Sequence, residues 1–205
     1  MGVEELRRLI ALIALGLALW AAGCTRELSY DRPELSIRGD DNHERVRSIA
    51  SAVHRKFSDT LAVPTGEMLT DDEGTHAQYL VLVTVPQETF FDSPSSPRGV
   101  QAQRRAHSQL NAAIATLLQL SMKYLVPQDM SITSIIMLLV LPNGEVWQVE
   151  GQVDQLKDIP HDASTEQWLE RVSADRQAIV PESVLQEILD ALNWDAERAA
   201  PIPRR

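Results

Sequence analysis

The chain has 205 residues, 44% of them apolar and 23% charged, and its 29 acidic against 19 basic residues leave a formal net charge of −10. That balance argues against non-specific nucleic-acid binding, which needs clustered lysine and arginine to neutralise phosphates. A single cysteine excludes an internal disulfide, so the fold rests on its hydrophobic core alone.

Near the start, Arg7 and Arg8 precede an unbroken apolar run of 14 residues, 9–22, followed by Gly23 and Cys24. A positive segment, an apolar stretch and small residues in that order are the layout of a secretory signal peptide. The run is shorter than the roughly 17–25 apolar residues a membrane span needs. It is apolar on every face, which speaks against a half-buried core helix. The ending Ala21-Ala22-Gly23-Cys24 resembles the lipobox of bacterial lipoproteins. That resemblance implies that residues 1–23 are removed as a signal peptide. It also implies that the Cys24 thiol is diacylated, with palmitate a typical chain, and that the new amino terminus is usually acylated too. Two acyl chains give stable anchoring where one does not. Thr25 stands where an aspartate would retain a Gram-negative lipoprotein at the inner membrane, so the resemblance implies the outer membrane, facing the periplasm. Soluble export and an uncleaved anchor are the other readings of this segment.

Residues 24–40 show no usable period and read as a tether, about 25 Å long as a flexible coil. A helix is expected from Asp40 or Asp41, both good N-caps. Val46, Ile49, Ala50, Val53 and Phe57 then make one apolar stripe. Arg45, Arg47, Arg55 and Lys56 occupy the rest of that surface and read as a solvated face, with an anionic partner as the alternative. Residues 58–76, with Pro64, Gly66 and Gly74, read as a loop. The run Asp71-Asp72-Glu73-Gly74 lacks the alternating oxygen ligands and the twelfth-position acid of a calcium loop.

Residues 78–85 are the clearest strand. Tyr79, Val81, Val83 and Val85 lie on one face and Leu80, Leu82 and Thr84 on the other, so the strand is expected to be central and covered on both sides. A long helix follows, capped by Ser95 or Ser96, opened by Pro97 and ended by Pro127, with Leu110, Ile114, Leu117 and Leu118 as its stripe. Residues 132–141 and 145–153 read as a hairpin, its turn set by Pro142, Asn143 and Gly144. Two helices are expected over residues 165–178 and 181–193, the second carrying Val184, Leu185, Ile188, Leu189 and Leu192 on one side. Residues 196–205 read as a frayed tail. The expected fold class is α+β: a small mixed or antiparallel sheet of about three strands packed with four helices, forming one domain over residues 41–195.

The sequence carries few signatures of chemistry. No G-x-S-x-G elbow, S-x-x-K pair, H-E-x-x-H spacing or glycine-rich phosphate loop occurs. His43, His54, His76, His107 and His161 are scattered and each reads as structural. Trp147 and Trp168 sit on apolar stripes and read as core, with a sugar-stacking platform as the alternative. No catalytic residue, metal ligand or cofactor site is expected, and Cys24 is the only site nominated.

Ala77-Gln78-Tyr79-Leu80-Val81-Leu82-Val83, followed later by Met137-Leu138-Leu139-Val140 and Gly144-Glu145-Val146-Trp147, resembles the strand pair of periplasmic lipoprotein domains of the penicillin-binding-protein activator and curli-export type. The expected function is a non-enzymatic, membrane-anchored lipoprotein. It would hold to the bilayer through acylated Cys24 and dock an envelope protein of the assembly, secretion or cell-wall machinery. The alternative is a lipid-anchored hydrolase or binder of glycan or peptidoglycan, with acidic residues near Trp147 or Trp168 as its site.

Overall fold

The computed structural model describes residues 37, 39–85, 87–90 and 97–179. Cys24, the apolar run before it, Ser95, Ser96, the expected helix at residues 181–193 and the tail at 196–205 lie outside the described residues.

Helix α1 (Asn42–Phe57) opens on Asp41, whose side chain accepts the Glu44 amide at 2.8 Å. Its last turn carries Arg55 and Lys56, cations that suit the negative end of the helix dipole, beside His54. The expected stripe is the buried face: Val46, Ile49 and Val53 are fully covered. The end of the tether already belongs to the fold, because Ile37 packs against the core and the Asp40 amide donates to Glu44 Oε2 at 2.9 Å.

The segment expected as a loop is instead strand β1 (Leu61–Asp71), turning at Asp72 and Glu73 into β2 (Gly74–Val83). Two residues disguised it. Pro64 sits where the register shifts between Ala62 and Thr65, on the edge strand of the sheet, where a missing N–H costs no ladder bond. Gly66 is there for closeness: a Cβ on it would stand 2.5 Å from Val46 Cγ1 and 2.8 Å from Tyr79 Cδ1.

A short turn of helix, α2 (Gln87–Phe90), and the long helix α3 (Pro97–Tyr124) carry the chain to β3 (Ile132–Val140). Strand β3 runs parallel to β2, a pairing that requires such a crossover. The hairpin to β4 (Glu145–Gln152) is as expected, with Gly144 at φ 80 closing the turn. Val153, expected at the end of that strand, instead begins helix α4 (Val153–Leu156).

The helix expected over residues 165–178 is the largest misreading. Ser164 and Gln167 form a capping box that opens α5 (Thr165–Leu169), but the helix lasts five residues. From Val172 the chain is strand β5 (Val172–Ile179), antiparallel to β4. No glycine or proline marks the change. Pairing with the free edge of β4 overrides a weak local helical preference.

The sheet therefore has five strands rather than about three, in the order β1-β2-β3-β4-β5, antiparallel except at β2–β3. The class is α+β. One face meets α1, α3 and α5 in a single core containing Val53, Leu61, Tyr79, Val81, Leu117, Leu118, Ile135, Met137, Val149 and Trp168. Tyr79 and Ser121, both fully buried, share a hydrogen bond of 2.7 Å that pins α3 to β2. Burial pushes the Tyr79 hydroxyl's pKa far up, so it stays neutral.

Candidate functional site

Successive side chains of a strand point to opposite faces, so pairing register decides which polar groups meet. Away from the helices, His76 of β2 stands directly opposite Ser134 of β3 and Leu69 of β1. His76 Nδ1 lies 2.7 Å from Ser134 Oγ, and its Nε2 lies 2.9 Å from Asp71 Oδ1. The same Asp71 oxygen accepts the backbone amides of Glu73 and Gly74, at 2.8 and 3.2 Å, which shapes the β1–β2 turn. Thr133 Oγ1 donates to the Thr75 carbonyl at 3.2 Å and stands 3.4 Å from His76 Nδ1. The hydrogen bond from His76, then that from the Glu73 amide, hold the Asp71 carboxyl below the usual aspartate range.

With Asp71 ionised, Nε2–H donates to the carboxylate, and in the neutral ring Nδ1 then accepts the Ser134 hydroxyl. That chain of acid, imidazole and hydroxyl is the connectivity by which a base activates a serine. Accessibility runs the wrong way for it. The Asp71 side chain is 58% exposed, while Ser134 is 1% exposed and His76 5%. A serine nucleophile needs a free site about 3 Å from its oxygen for the reacting atom. Ser134 lies within the sheet between its β2 and β4 neighbours, His76 and Gln152. The arrangement clamps the β1–β2 turn onto β3. Sequence motifs could not reveal it, because the parallel register joins residues 58 positions apart. His76 joins the β1–β2 turn to β3 through these bonds, and its partners Asp71 and Ser134 carry no local motif.

The acidic group expected beside Trp147 is Glu145. Its Oε2 accepts Trp147 Nε1–H at 3.1 Å, and its Oε1 accepts Arg176 at 3.0 Å. These bonds, the tryptophan's first, hold its carboxyl below the usual range, so it is ionised and already engaged near neutral pH. Trp168 is 1% exposed and packs in the core, which removes it as a stacking surface, and Trp147 packs half-buried against the same core.

The other histidines stay apart. His43 and His161 are exposed, and the His107 ring lies tilted against Phe90 with ring centroids 4.3 Å apart. His54 accepts the Val63 amide at Nδ1, 3.4 Å away, and burial followed by the charge of Arg55 lowers its pKa. Among the described residues no group of three histidine, cysteine, aspartate or glutamate side chains could hold a metal ion. No described helix is long and apolar enough to cross a membrane. No family model, no curated protein and no solved structure matches the chain.

Proposed function

We propose that this chain is a lipid-anchored lipoprotein of the bacterial cell envelope. It would be held through acylated Cys24 to the periplasmic side of the outer membrane, where it docks another envelope component. The observation that carries the reading is the ordered run from Arg7 through the apolar residues 9–22 to Ala21-Ala22-Gly23-Cys24. Lipid confines the domain to one surface and so raises its effective concentration toward partners on that surface. The placement of the polar clusters is in keeping with docking, since Ser134 and Glu145 are committed to contacts within the fold.

A hydrolase reading has one observation in its favour, the Asp71–His76–Ser134 connection, with the burial of Ser134 against it. One set of measurements separates the two. Cells expressing wild type and Cys24→Ser are labelled with palmitate, and the wild-type protein is captured from detergent-solubilised envelope. Docking predicts label in the wild type alone and a stoichiometric envelope protein in the capture. Equal label in both chains would remove the anchor. Reaction with a fluorophosphonate that disappears in Ser134→Ala, or release of peptidoglycan fragments, would replace docking with hydrolysis.

A further inference from the structure

The face of the sheet turned away from α1, α3 and α5 carries a row of apolar residues in one register: Ala62 on β1, Leu82 on β2, Val140 on β3, Val146 on β4 and Ala178 on β5. The next row inward adds Leu80 and Leu138. Leu82, Val140 and Val146 are at most 2% exposed, and Leu80 and Leu138 are 7% exposed. None of them belongs to the core shared with the helices. A face this well covered needs a cover, and every long described helix lies on the other side.

We propose that residues 181–192 of this same chain cover this second face as an amphipathic helix, making the domain three layers deep. Four observations point to that occupant. Ile179, the last paired residue of β5, stands opposite Glu145, beside Val146, so the chain leaves the sheet at the apolar end of the face. From there Val184, Leu185, Ile188, Leu189 and Leu192 recur at helical spacing, with Glu182, Glu187 and Asp190 between them for a wet side. Twelve helical residues reach about 18 Å, and the three strand spacings from β5 to β2 amount to about 14 Å. The remaining chain outside the described residues offers no equal. Residues 91–96 are few and mostly polar, residues 25–36 have no apolar period, and residues 9–22 are apolar on every side. The opposite end of the face is more polar, with Gln78, Glu150 and Gln152 around a half-buried Ile136, so the need for a cover is greatest where the segment emerges.

Methyl nuclear Overhauser effects on the full chain, recorded with Cys24→Ser to keep it unacylated, test the proposal directly. The expected result is contact from the methyls of Val184, Leu185, Ile188 or Leu189 to those of Leu82, Val140 or Val146. Leu185→Ala is expected to lower the folded-to-unfolded ratio by about 30-fold, as a buried leucine does, while Glu187→Ala leaves it unchanged. Contacts from Leu28 or Leu35 to Val140 instead would give the face to the tether and overturn the proposal. So would burial that weakens on dilution into monomers, which would give it to a second copy. If Leu185→Ala behaves like Glu187→Ala and no contact is seen, the helix does not lie there.

Discussion

His54 sits at the seam between α1 and β1, where its Nδ1 takes the Val63 amide and its ring is half-buried. Burial, with help from Arg55, places its folded pKa below the ordinary 6.5. The unfolded chain therefore binds the proton more readily, and stability rises with pH between the folded pKa and 6.5. Above 6.5 the contribution is complete, and it is lost as pH falls through the window toward the folded value. Urea unfolding from about pH 5 to 8 is expected to show that slope in the wild type and a flatter line in His54→Gln. A slope unchanged by the substitution would assign it to another group. Asp71 acts lower on the scale, since its depressed carboxyl contributes above its unfolded value of 3.8 and loses that as the carboxylate is protonated.

Between elements, the contact that most depends on one residue is α1 on β1. Gly66 lets Val46 and the Tyr79 ring close over bare backbone. Gly66→Ala places a methyl inside both contacts and is expected to cost about 1–3 kcal/mol, the usual penalty of overpacking. Val46→Ala removes the nearer clash, so the double variant should lose less than the two single losses added. Equilibrium denaturation of the four chains measures that coupling, and strict additivity would mean that the sheet bends away instead. The same crowding explains why residues 58–76 mislead. Proline and glycine in a row signal a loop, yet here one marks a bulge on an edge strand and the other a packing seam.

Across the molecule, a core running from Val46 to Trp168 joins elements far apart in sequence, and the parallel β2–β3 pair at its centre ties the two hairpins through α3. Limited proteolysis of the folded chain should therefore leave one resistant product that contains α1 through β5. Early cleavage near Pro127, between α3 and β3, would instead divide the domain in two. The apolar stripes of α1 and α3, the two apolar faces of β2 and the Pro142–Gly144 hairpin were legible in the sequence because each depends on neighbours a few positions away. So was the resemblance at Cys24 to a lipid-anchoring motif, which is written in consecutive residues. Strand β5, the edge strand β1 and the clamp of Asp71, His76 and Ser134 were decided by tertiary structure alone. A strand's free edge and a cross-strand register exist only once distant segments have met, and no local period of hydrophobicity records which partner a backbone will find.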